Sequence, residues 1–153
     1  MKIRRTLIII PQIVLLITIS SCSDDDSPTL AQQQLDELVG TWAVTDDADI
    51  TTDGTNATGD WSNFQIIFAL DQTVQVSGVP QEAEIFNINS FEVNGSSTNN
   101  FSISFNDKSQ ETASISINGD ILNLSFVLSS DDDQLGQRIS STSGEWMFRM
   151  NRQ

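Results

Sequence analysis

Ala113-Ser114-Ile115-Ser116-Ile117-Asn118-Gly119-Asp120-Ile121-Leu122-Asn123-Leu124-Ser125-Phe126 is the stretch on which the fold turns. Apolar and polar residues alternate on either side of Asn118-Gly119-Asp120, the strongest hairpin signal in the chain, because the primed turns that match strand twist need positive φ at glycine or asparagine. Pairing Ile117 with Leu122, Ile115 with Leu124 and Ala113 with Phe126 sets apolar residues opposite one another. Working outward, Phe64, Ile66, Phe68 and Leu70 share one strand face, and Val74 and Val76 share the next, across Asp71-Gln72-Thr73. A three-residue loop there pairs Leu70 with Val74 and Phe68 with Val76, whereas a two-residue loop flips a face. Further strands are predicted at Thr41–Thr45, Ile85–Val93, Phe101–Phe105, Leu122–Leu128 and Trp146–Met150, each rich in β-branched or aromatic residues. Asp46–Asp60, rich in Asp, Thr, Gly and Asn, reads as a long loop. Leu35 and Leu38 among glutamines, with Thr29 as a cap, predict one short helix over Leu30–Leu38. The fold class is therefore all-β. About eight antiparallel strands form a meander curled into a barrel or half-barrel, with one short N-terminal helix; a two-sheet sandwich is the alternative, less suited to contiguous strand order.

Residues 1–21 read as a cleaved export signal. Lys2, Arg4 and Arg5 precede the apolar run Leu7–Ile19, the order of a secretory leader. A helix of about 13 residues spans roughly 20 Å, short of a hydrocarbon core about 30 Å thick. Removing the leader takes those three basic residues and no acid, leaving four basic residues against 21 acidic ones, a net charge of −17. Nucleic acid is excluded as a partner, and anionic headgroups would repel such a chain. The remaining length, residues 30–153, suits one domain able to bury about two-thirds of its unfolded surface.

Ile19-Ser20-Ser21-Cys22 resembles the bacterial lipobox, which implies cleavage between Ser21 and Cys22 and a diacylglycerol thioether on Cys22, the only cysteine in the chain. Residues 22–29 then form a lipidated acidic tether. Two or three acyl chains, at about 0.8 kcal/mol per buried methylene, hold a protein stably where one chain is marginal. Ser23-Asp24-Asp25-Asp26 resembles the surface-export signal of Bacteroidota lipoproteins, implying an outer-membrane, outward-facing protein; read from charge alone, the run is a solvated spacer.

Leu38-Val39-Gly40-Thr41-Trp42 looks like the opening of the lipocalin-like domains of short Bacteroidota lipoproteins. Phe68-Ala69-Leu70-Asp71-Gln72-Thr73-Val74 resembles their hairpin, and Leu122-Asn123-Leu124, Arg138 and Gly144-Glu145-Trp146-Met147-Phe148 resemble their closing strands. The resemblance implies that Gly40 and Trp42 close one end of the barrel and that a basic residue of the last strand, Arg149, packs over the tryptophan. Trp42 reads independently as a core plug, since large aromatics in strands mostly fill barrels.

Chemistry is sparse. There is no histidine and no tyrosine, so no Ser-His-Asp or Cys-His device and no histidine zinc site can be built. Asp46, Asp47, Asp49, Asp53 and Asp60 could gather oxygens for calcium, but their spacing matches no calcium loop, and Asp131-Asp132-Asp133 has less context still. Neither Glu82 and Glu84 nor Glu92 and Glu111 stand out as a catalytic carboxylate pair. The expectation is a non-enzyme without metal or cofactor. Two functions remain: a binding module for a small apolar molecule or glycan, or an accessory envelope lipoprotein that contacts protein partners. Seven phenylalanines in predicted strands favour a filled barrel over a cup.

Overall fold

The computed structural model describes residues 27–80, 88–106, 108–128 and 143–153, the side chains of 108–111 aside. Helix α1 (Leu30–Leu38) begins at a capping box: Gln32 N–H donates to Thr29 Oγ1 at 3.2 Å, and Thr29 N–H donates to Gln32 Oε1 at 2.9 Å. Two of the unpaired N–H donors at the helix start are thereby satisfied. Among the described residues no helix is long and apolar enough to cross a membrane.

Among the described residues ten strands follow: β1 (Gly40–Ala43), β2 (Ile50–Thr52), β3 (Thr55–Asn56), β4 (Gln65–Phe68), β5 (Val74–Ser77), β6 (Phe91–Asn94), β7 (Asn100–Phe105), β8 (Lys108–Asn118), β9 (Ile121–Leu128) and β10 (Gly144–Arg152). Eight of them run in the order β5-β4-β1-β10-β9-β8-β7-β6, every pairing antiparallel. The two ends of that order meet through the bridge Thr73–Ser90, where Val74 N–H donates to Asn89 O at 3.0 Å and Phe91 N–H to Gln72 O at 2.9 Å. The result is a nearly closed eight-stranded barrel in which the first strand lies beside the last. It is not a sandwich.

The β8–β9 hairpin has the register that alternation predicts, with Ile117 opposite Leu122 and Ile115 opposite Leu124. The β4–β5 register differs from expectation. Phe68 pairs with Val74 and Ile66 with Val76, so the three-residue loop is Leu70-Asp71-Gln72 instead of Asp71-Gln72-Thr73. A change of two in the pairing keeps the same faces together, so face alternation cannot choose between the registers. Turn chemistry chooses: Asp71 Oδ1 accepts from Thr73 N–H and Oγ1, Ala69 N–H donates to Thr73 O, and Gln72 takes φ +63°, the bulge position of a three-residue loop. Leu70 is consequently 64% exposed at the loop tip.

Asp46–Asp60 is also more than a loop. It holds a short 3-10 turn (Asp47–Asp49) and the β2–β3 hairpin, and β2 pairs with the first half of β10 while β1 pairs with the last residues of that strand. Thr52 and Thr55 are opposite each other, and Asp53-Gly54 between them takes φ +48° and +74°, the two positive values of a type I′ turn. Of the expected strand Ile85–Val93, the start lies outside the described residues, and β6 begins at Phe91.

Inward-facing residues make one continuous core. Trp42, Ile50, Trp61, Ile66, Ile103, Leu122, Leu124, Phe148 and Met150 are each 0% exposed. Trp61 lies within an aromatic cluster, its ring 5.5 Å from Phe64, 5.7 Å from Phe148 and 5.8 Å from Trp146. Edge-on contacts of this kind add to the area term of burial.

Candidate functional site

Two contacts fix the Trp42 ring. Its indole N–H donates to Leu38 O at 2.7 Å, tying β1 to the end of α1. The Arg152 guanidinium stands 4.3 Å from the centroid of its ring. The same guanidinium donates to Val39 O at 2.8 Å and Glu37 O at 2.6 Å, so a cation satisfies carbonyls at the helix C-terminus, where the helix dipole favours positive charge. Gly40, at φ +140°, makes room for it: a Cβ there would sit 3.2 Å from the guanidinium.

The residue over Trp42 is thus Arg152, not Arg149. Along a strand, side chains alternate faces; Met150 is buried, while Arg149 points outward with its side chain 54% exposed and meets Asp49 at 3.4 Å. Arg152, two residues beyond Met150 and opposite Trp42 in the β1–β10 register, is on the inner side by the same alternation, and its long side chain reaches the carbonyls at the end of α1. Ser21, Cys22 and Ser23-Asp24-Asp25-Asp26 lie outside the described residues, as do Arg138, Asp131-Asp132-Asp133, Glu82 and Glu84. Glu92 is exposed opposite Ser104 on the outer face.

The carboxylates of the acidic segment hold their own backbone. Asp46 Oδ1 accepts from Ala48 N–H; Asp49 Oδ2 accepts from Thr45 Oγ1 and Asp46 N–H; Asp47 Oδ1 accepts from Trp61 N–H at 3.0 Å; Asp53 Oδ1 accepts from Glu145 N–H at 2.8 Å. The Ser62 hydroxyl, at 2.6 Å, and then the Ser62 N–H hold the Asp60 carboxyl below its ordinary range. The Thr73 hydroxyl does the same for Asp71. Among the described residues no group of three His, Cys, Asp or Glu is placed to hold a metal ion.

A ligand cup would leave its wall residues in contact with space large enough for water. The ten core residues with no exposure, the nine named above and Leu38, have no such space beside them, so this part of the interior is filled by the protein's own side chains.

The outside of the barrel carries a hollow of about 410 Å³ across β7, β8, β9 and β10. Register explains its lining. Ser102 is opposite Ser114, Ser114 opposite Ser125, and Ser125 opposite Met147; one rung away, Asn100 is opposite Ser116 and Ser116 opposite Asn123. Short serines form the floor, while asparagines and Met147, 46% exposed, rise around it. Ser102 Oγ donates to Asn94 O at 3.0 Å. The side chains of Ser114, Ser116, Asn123 and Ser125 make no hydrogen bond to another described residue. Sequence reading passed over these positions because each is simply the polar half of an alternating strand; their adjacency exists only once the register is known.

Against this geometry, no family model, no curated protein and no solved structure matches the chain.

Proposed function

We propose that this chain is an outer-membrane lipoprotein, anchored by acylated Cys22 and facing outward, whose lipocalin-like barrel is a solid scaffold that recognises its partner on the outside. The single observation that carries the reading of the barrel is the set of fully buried Trp, Phe, Ile, Leu and Met side chains occupying its interior. A small apolar ligand held inside would have to displace them. The neighbouring positions of the first and last strands, and the Trp42–Arg152 contact at the end of α1, support the likeness to lipocalin-like domains. The lipobox at Ile19–Cys22 and the acids at Asp24–Asp26 support anchoring and outward display. Between a ligand held inside and contacts made on the exterior, the buried core residues favour the exterior.

The test is expression of the full chain and of Cys22→Ser in a Bacteroidota host fed labelled palmitate, with protease added to intact cells. The full chain should carry label, pellet with outer membrane and be cut from outside; Cys22→Ser should carry none. An unlabelled wild-type protein would refute the anchor, and a labelled but protease-protected one would refute surface display.

A further inference from the structure

We infer that helix α1 is a releasable strap: it undocks from the barrel as a unit, with Gly40 as its hinge, and uncovers the edge of β6 at Val93 while the barrel stays folded. The motion is independent of what Cys22 carries, so it stands apart from the anchoring reading above. Three observations converge. The first is an open strand edge beneath the helix. Phe91 N–H donates to Gln72 O at 2.9 Å, so the odd-numbered residues of β6 turn their N–H and C=O groups toward β5 and the even-numbered ones toward β7. Val93 comes after that last β5–β6 hydrogen bond, and among the described residues neither its N–H nor its C=O has a partner. Helix α1 packs against this strand, and a covering helix is one of the ways native proteins keep an open edge from pairing with another chain.

The second observation is that α1 ties together strands that are not neighbours. Gln34 Nε2 donates to Ser97 O, in the β6–β7 turn, at 2.8 Å, whereas the carbonyls of Glu37, Leu38 and Val39 accept from Arg152 of β10 and Trp42 of β1. The helix thus lies across the barrel end as a brace. The third is how shallowly it sits. Only Gln34, 1% exposed, and Leu38 are buried, with Leu35 partly so, and a helix of nine residues holds little structure of its own without docking. Gln34 is moreover half satisfied: Nε2 is paired, but Oε1 has no partner among the described residues, so its burial offsets part of what the bond to Ser97 contributes. An element with so few buried contacts opens below the free energy of global unfolding. Gly40, directly after the helix at φ +140°, has the backbone freedom a hinge requires.

The experiment follows the full chain carrying Cys22→Ser, in detergent micelles, by amide hydrogen exchange and by thiol labelling with an uncharged aromatic disulfide. The amides of residues 34–39 should exchange through one shared opening at least tenfold faster than those of the β8–β9 ladder. Leu38→Cys, at a position with 0% exposure, should be labelled in step with that opening, and Leu122→Cys, equally buried in β9, at least tenfold more slowly. Should Leu38→Cys fail to fold, amide exchange in the chain without it decides. Ile50→Val, on β2 opposite Phe148, weakens the barrel and should speed ladder exchange several-fold while leaving α1 unchanged. Gln34→Glu keeps the side-chain shape but loses the donor to Ser97 O and buries a charge, so it should speed α1 exchange at least tenfold with the ladder still protected. Exchange of α1 and the ladder at a common rate, with a common urea dependence, overturns the inference, because α1 then opens only when the barrel does. So does loss of ladder protection in Gln34→Glu, which would make the docked helix a condition of the barrel's own folding.

Discussion

Replacing Arg152 with alanine should destabilise the barrel far more than replacing Arg149, though the two cations are three residues apart on the same strand. Arg152 makes two charge-assisted hydrogen bonds, to Val39 O at 2.8 Å and Glu37 O at 2.6 Å, and covers the Trp42 ring at 4.3 Å. Hydrogen bonds to charged groups contribute about 1.5–3 kcal/mol each; with the Arg152 side chain 30% exposed, about 1 kcal/mol each is the sounder value. The cation–π contact adds about 0.5–1 kcal/mol, and lost packing over a buried indole adds a similar amount. The expected cost of Arg152→Ala is therefore about 3 kcal/mol, a fall in Tm of roughly 12 °C for a domain of this size. Arg152→Lys keeps the charge but not the fork that reaches two carbonyls, and should lose about half as much. Arg149→Ala removes a single contact at 3.4 Å from a half-exposed arginine to Asp49, whose carboxylate keeps its bonds from Thr45 and Asp46, and should cost under about 1 kcal/mol. Urea unfolding followed by tryptophan fluorescence measures all three. If Arg149→Ala cost as much as Arg152→Ala, the assignment of the end-closing cation would be refuted.

Two other outcomes follow from the same geometry. Phe68→Ala, at a side chain 1% exposed, should cost about 3–5 kcal/mol, whereas Leu70→Ala, 64% exposed, should stay within about 0.5 kcal/mol; equal costs in urea unfolding would restore the pairing of Leu70 with Val74. The Asp71 carboxyl, held below its ordinary range by the Thr73 hydroxyl, stabilises the fold when ionised, so that contribution is full above the ordinary value of 3.8 and is lost as pH falls through the lower folded value. The stability difference between wild type and Asp71→Asn should therefore shrink between neutral pH and about pH 3, and a difference constant over that interval would contradict the hydrogen-bond assignment.

What could be read from the chain was whatever local chemistry decides alone. The capping box at Thr29 and Gln32 starts α1 where it stands in the fold, and Asn118-Gly119-Asp120 sets the β8–β9 register. Asp53-Gly54 carried an equally strong turn signal, flanked by β-branched Thr51 and Thr52, yet the surrounding acids and glycines made the segment read as loop. Its carboxylates are structural acceptors, a role composition does not distinguish from solvation or from metal binding. The β4–β5 register slipped by two because both alternatives bury the same faces. Arg152 was legible in principle, since it shares the parity of Trp146, Phe148 and Met150 on β10, whereas Arg149 falls on the opposite face. The outer hollow was least legible of all, since Ser102, Ser114, Ser125 and Met147 become neighbours only through three separate strand pairings.

An eight-stranded barrel has an interior that side chains can just fill or that can just hold one small ligand, so the size of the inward residues decides between scaffold and cup. Here Trp42, Phe68, Phe91 and Phe148 point into the core, each no more than 1% exposed, and Trp61 with Phe64 packs against Phe148. Clearing space for a ligand would mean trimming several of them, at about 3–5 kcal/mol for each large aromatic removed, which exceeds the margin of a typical domain after two or three changes. Such a core gives the described part of the interior to the protein's own side chains. On β7 the inner positions are Phe101, Ile103 and Phe105 and the outer ones Ser102 and Ser104, so the difference in side-chain size that packs this part of the core is written into the alternation itself.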